Sequence, residues 1–207
     1  MALRKRTQSS DRAAGFRWRW PTRRRQRAGL RPGDDLVALI RQRLSSTRLD
    51  DPTSRRRAFE PASAQAIAEA EQSLDFALPP VLKQVLLEVG NGGFGPGHGL
   101  LGVRGGATDE HGNSMLDLYD GLSATNPDDP GWRWPERLVP LCPWGDSTYS
   151  CIDCSVPEGQ LVTYDANGYQ PGTDLERLFT AQDLAVDAWL RLWTEGVDLW
   201  NRMFPLD

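Results

Sequence analysis

The most reactive spacing in this chain is Cys151-Ile152-Asp153-Cys154, the C-x-x-C pattern of thiol redox and zinc sites. Redox motifs work because a helix N-terminus lowers the pKa of one thiol. Here the segment reads as a strand, where side chains at i and i+3 point to opposite faces. Zinc would need Cys142 and a histidine as well, since there is no second C-x-x-C pair. Small core or surface cysteines are therefore the expectation. His98 and His111, the only two histidines, both lie in glycine-rich loops. Imidazole titrates near neutrality and could act as a general base, yet no nucleophile motif or paired-carboxylate signature stands near either. The expectation is no catalytic residue, no metal ligand and no cofactor.

Binding chemistry has more candidates. Trp132 and Trp134 flank Arg133 in a loop with proline and aspartate; they are either anchors for a protein partner or a cover for a sheet. Asp128, Asp129, Glu136, Asp146 and Asp153 are carboxylates that serve solubility or steer a basic partner. Trp189, Trp193 and Trp200 recur at helical spacing and are expected in the core. Phe16-Arg17-Trp18-Arg19-Trp20, followed by Arg23-Arg24-Arg25, interleaves aromatic and basic side chains. That pattern suits single-stranded nucleic acid or an anionic membrane surface. A solvated tail, upstream sequence from a start codon placed too early, or a tail folded back on an acidic domain are the alternatives.

These groups sit on a chain of two electrostatic halves. Through Arg57 there are 17 Lys+Arg against 5 Asp+Glu; from Ala58 there are 7 against 23, a net of −16, while the whole chain carries only −4. The acidic part should prefer basic partners and repel nucleic acid. Residues 1–33 hold ten arginines, one lysine and few aliphatics, too little apolar surface to offset ordering entropy, and read as a disordered extension. Residues 34–57 read as a helix, capped by Asp34 and carrying Leu36, Leu39, Ile40 and Leu44, then a polar connector from Ser45. Residues 58–207 read as the globular domain. No run of 18 apolar residues and no secretory signal are present, so the expected compartment is the cytoplasm, with reduced thiols.

The elements that position these residues follow from periodicity. Ser63 caps a helix over Ala64–Leu74 with Ile67, Ala70 and Leu74 inward. A second helix spans Leu78–Val89: Pro79 and Pro80 suit its first turn, Val81, Leu82, Val85, Leu86 and Val89 form its stripe, and Gly90-Asn91-Gly92-Gly93 ends it. Leu100–Val103 reads as a short strand, and Ser114–Leu122 as helix or strand. Leu138–Cys142, Thr148–Cys154 and Leu161–Tyr164 read as strands, joined by turns at Pro143–Asp146 and Pro157–Gly159. Strands so closely spaced are antiparallel. Thr180, with Asp183 three residues on, starts a last helix carrying Ala185, Trp189, Leu192, Trp193 and Trp200. Helices, then a central antiparallel meander, then a C-terminal amphipathic helix packed on it make an α+β fold.

In order along the chain stand Ile67…Glu71…Leu74, Leu78-Pro79 opening a helix, Asn91-Gly92-Gly93 closing it, Trp144-Gly145-Asp146 after a strand, Asp153, and a closing helix. This combination resembles the SUKH superfamily, Smi/Knr type, over about Phe59 to Leu192. The resemblance implies an α+β domain without enzymatic activity that binds protein. Bacterial members mostly act as immunity proteins that bind and neutralise a cognate toxin; fungal relatives are regulatory scaffolds in cell-wall assembly. The implied partner is a protein, a basic toxin domain in the immunity case. The basic extension and the Asp109–Trp134 region receive no support from the resemblance.

Overall fold

The computed structural model describes residues 36–45 and 55–204. The Arg-rich extension, the Asp34 cap and most of the connector after Ser45 lie outside the described residues.

Helix α1, Leu36–Ser45, buries Leu36, Val37 and Ile40. It packs on α5 and α3, so residues before Ala58 contribute to the same core as those after it. Arg55–Arg56 (β1) pairs antiparallel with Phe94–Gly95 (β2), a contact that periodicity does not reveal. Helix α2, Ala64–Leu74, begins as expected: the Ser63 hydroxyl accepts from the Ala66 N–H at 3.0 Å, and Ile67, Ala70 and Leu74 are buried. Asp75, in the left-handed conformation, ends it. Helix α3, Pro80–Glu88, follows with Pro79 at its cap and Leu82, Val85 and Leu86 inside. The α2–α3 joint is fixed by Glu71, whose carboxylate accepts from the Leu78 N–H at 2.8 Å and pairs with Lys83 Nζ at 2.9 Å.

Leu100–Val103 is not a strand. Leu100 folds back on β2, its N–H donating to Phe94 O and its carbonyl accepting from Gly93 N–H, and only Leu101 reaches across to Leu141 O. A single bond to the neighbouring strand does not build a ladder. The ambiguous segment is helix α4, Met115–Ser123, because Ser114 and Asp117 form a reciprocal capping box.

Strands β3 (Leu138–Gly145), β4 (Thr148–Asp153), β5 (Gln160–Asp165) and β6 (Phe179–Ala185) form one antiparallel sheet in that order. The first turn falls later than the spacing predicts: Pro143, Trp144 and Gly145 stay in β3, and the turn is Asp146-Ser147. Both have positive φ, at 45° and 58°, as a two-residue hairpin of right-handed twist requires. The last helix also starts later. Thr180–Ala185 is strand, not helix: Phe179 and Thr180 register against Tyr164 and Thr163 of β5, and a bulge with Asp183 at φ 54° shifts the pairing before Ala185. Helix α5, Val186–Thr194, then buries Val186, Trp189, Leu190 and Trp193 against α1 and α3. Gly196 turns the chain, so Trp200 belongs to a separate short helix α6, Leu199–Met203, and stays 38% exposed instead of entering the core. The architecture is α+β, with helices on an antiparallel sheet and the C-terminal helices packed after it.

Candidate functional site

The segment after α3 builds the floor and one wall of a surface cleft. Gly92 and Gly93 adopt φ of 79° and 83°, and a Cβ at Gly93 would meet the Arg57 carbonyl oxygen at 2.6 Å. Only glycine lets the chain pass there. Asn91, 4% exposed, locks the next loop through its amide: Oδ1 accepts from the Val103 N–H at 2.9 Å, and Nδ2 points at the carbonyls of Val103 and Arg104, each at 3.4 Å. Its backbone carbonyl takes the Ala107 N–H at 2.8 Å. The loop carrying Thr108, Asp109 and Glu110 is thereby hung from one buried residue, through its side chain and its backbone carbonyl.

That loop faces the β3–β4 hairpin across an open cleft of about 400 Å³. Arg57, Phe59 and His98 line it together with Asp109 and Glu110 of that loop, and Pro143, Ser147, Thr148 and Tyr149 come from the hairpin. Phe59 is 43% exposed. Asp109 Oδ1 accepts from the N–H groups of His111 and Asn113, which fixes the turn but leaves Glu110 projecting, 74% exposed. Burial, then the neighbouring Asp109 and Glu110 carboxylates, raise the Tyr149 phenol above its ordinary value, so it remains a neutral hydroxyl. Sequence reasoning did not find this cleft, because Arg57 and Phe59, the Thr108–Glu110 loop and Tyr149 come from three segments with no common pattern. The density of glycine between Gly92 and Gly99 was the available signal.

The residues singled out from sequence do not form one surface. Trp132 and Trp134 are buried, at 6% and 3% exposure, with indole N–H groups donating to Leu122 O and Leu138 O. Trp134 meets Tyr164 and Phe179 edge-on at 4.8 and 5.4 Å. In this conformation they cover the sheet; they are not presented as anchors. Asp129 is also buried, accepting from Tyr169 OH at 2.7 Å and from the Gly131 N–H; the Tyr169 bond holds its carboxyl below the usual range. Asp128, Glu136 and Asp146 are exposed. Of these, Asp146 borders the cleft, between the lining residues Gly145 and Ser147. Asp153 is buried at the end of β4 and accepts from Ser155 N–H. Leu78 and Pro79 are buried at the start of α3, and Trp144 is half-buried with its indole on Ser150 Oγ at 2.9 Å.

Cys142, Cys151 and Cys154 are free thiols, all buried, and burial raises the pKa of each. Cys142 donates to the Pro96 carbonyl. No helix N-terminus activates Cys151, which lies inside β4. His98 and His111 are exposed; His111 Nε2 lies 3.7 Å from its neighbour Glu110. Among the described residues no helix is long and apolar enough to cross a membrane.

No curated protein matches the chain. A family model, that of the SMI1 / KNR4 family (SUKH-1), matches residues 61–185, from just before α2 to the end of β6. That span holds both markers of the fold, the Asn91-Gly92-Gly93 stop and the Trp144-Gly145-Asp146 hairpin, and the chain therefore belongs to the SMI1 / KNR4 (SUKH-1) family.

Proposed function

We propose that this protein is a non-enzymatic protein-binding module, an immunity protein that neutralises a cognate bacterial toxin in the cytoplasm. The observation that carries the reading is family membership over residues 61–185. The charge supports it. From Ala58 onward the chain has a net of −16, which favours a basic partner such as a domain that itself handles nucleic acid. Asp128, Glu136 and Asp146 are exposed and would steer such a partner, while the buried Asp129, Trp132 and Trp134 would act only by holding their loop in shape.

The test is capture of partners by the full chain from the cells that make it, identified by mass spectrometry, followed by association kinetics. A toxin domain whose activity is blocked stoichiometrically, with an on-rate that falls steeply as salt is raised, is the expected result. Capture of an endogenous cell-wall or regulatory protein instead would replace immunity with the scaffold role of the fungal relatives.

A further inference from the structure

We propose that the cleft between Phe59, the Thr108–Glu110 loop and the β3–β4 hairpin receives an arginine-bearing loop of the protein partner. This rests on the protein-binding reading above and adds to it the place of binding and its chemistry. The cleft, at about 400 Å³, falls in the roughly 300–1,000 Å³ range of ligand-sized sites. It is open at the surface, which suits a protruding loop better than an enclosed small molecule.

The walls select the occupant. Guanidinium is planar and weakly hydrated, and it combines stacking on an aromatic ring with forked hydrogen bonds to carboxylate. The cleft offers both kinds of surface. Phe59 stands against the Gly93 backbone on one side and is open to solvent on the other, and Tyr149 supplies a second ring with a neutral hydroxyl. Glu110 is almost wholly exposed, and Asp146 sits at the hairpin tip beside the lining residues. Neither forms an ion pair with a lysine or arginine among the described residues. An ammonium group would use the carboxylates but gain less from the rings, so arginine should exceed lysine. Arg57, also a lining residue, suits a backbone carbonyl or an acidic side chain of the same loop. An anionic occupant such as phosphate is disfavoured by the acidic excess of the body around it, where residues 36–45 and 55–204 hold 12 Lys+Arg against 22 Asp+Glu.

The probe is a fluorescein-labelled Gly-Arg-Gly-Arg-Gly peptide, titrated with the full chain by fluorescence anisotropy at about 0.15 M salt, where weak long-range attraction is screened. Saturable binding is expected. Glu110→Gln with Asp146→Asn should weaken it by about tenfold, as expected for losing charge-assisted hydrogen bonds. Glu88→Gln with Glu195→Gln removes the same charge from exposed positions outside the cleft and should change it by less than about twofold, a screened long-range effect. A lysine peptide should bind more weakly than the arginine peptide. Equal losses in the two double variants would show non-specific attraction and overturn the proposal. Absence of saturable binding would overturn it too, whether the cleft is inert or is filled by the ten arginines of residues 1–33. Failure here with a partner captured as above sinks the cleft assignment alone; peptide binding without any captured partner sinks the immunity reading alone.

Discussion

Replacing Asn91 by alanine isolates the contact that joins the end of α3 to the cleft wall. The wild-type amide is buried, and its one short bond, 2.9 Å, is accepted from the N–H of Val103, itself 0% exposed. The two donor contacts at 3.4 Å are long and add little. Truncation therefore strands one buried backbone N–H, at a cost of about 1–3 kcal/mol, with a small cavity penalty on top. About 2 kcal/mol corresponds to a fall in Tm of roughly 4–8 °C for a chain of this size. Equilibrium urea unfolding gives the free energy, with an unchanged m-value showing that the unfolded state is not what moved. Amide hydrogen exchange gives the location: Val103 and Ala107 should lose protection beyond the global change. Asn91→Asp keeps the acceptor but turns a carboxylate oxygen toward two carbonyls. It should be at least as destabilising at neutral pH, with the difference from wild type shrinking in acid, where the protonated group can donate. A loss below about 0.5 kcal/mol, the usual scatter of neutral surface changes, with Val103 still protected would refute the clamp.

Three further outcomes follow from other contacts. Asp117 has its carboxyl held below the usual range, first by the Ser114 side chain and then by its N–H. A lowered folded pKa gives stability that is complete above the unfolded value, about 3.9, and lost as pH falls through the folded one. Asp117→Ala should thus cost about 1 kcal/mol at neutral pH and progressively less in acid, read from urea midpoints across the pH range. The three thiols are buried with raised pKa values, so a disulfide-exchange reagent should label none quickly in the folded protein and all three in denaturant. Fast labelling of Cys151 or Cys154 in native buffer would contradict their placement. Trp193→Ala should cost about 3–5 kcal/mol, because that ring is 1% exposed and meets Phe94 at 6.3 Å. Trp200→Ala should cost much less, with its ring 38% exposed on α6, and comparable losses would contradict the placement of Trp200 outside the core.

What the sequence makes legible is local. The α2 and α3 stripes, the Ser63 cap and the three-strand meander follow from spacing and punctuation, because each is decided by residues within a few positions of one another. Thr180–Ala185 misleads for the same reason. Thr180 with Asp183 looks like a helix start, but β5 offers an unpaired edge, and tertiary pairing overrides a local cap signal. Trp200 keeps helical spacing from Trp193 only on paper, since Gly196 and the Asp198 cap restart the chain between them. Trp132 and Trp134 had two readings that only their burial separates. The cleft was illegible as a unit, since its walls come from segments up to about ninety positions apart.

The cleft and the fold markers differ in what a substitution would cost. Asn91, Gly92 and Gly93 are held by buried hydrogen bonds and by backbone approaches too close for a Cβ, so change there is expensive. Glu110 and Asp146 project from turns whose geometry is set by other groups: the first by Asp109 accepting from His111 and Asn113, the second by the backbone of a two-residue hairpin. Their side chains support no core packing, so replacing them should cost within about ±0.5 kcal/mol of stability. A binding module built this way can change its partner without changing its fold. On the cleft proposal, the segment that identifies the family is the fixed support, and selectivity would reside in exposed side chains of the turns that it holds in place.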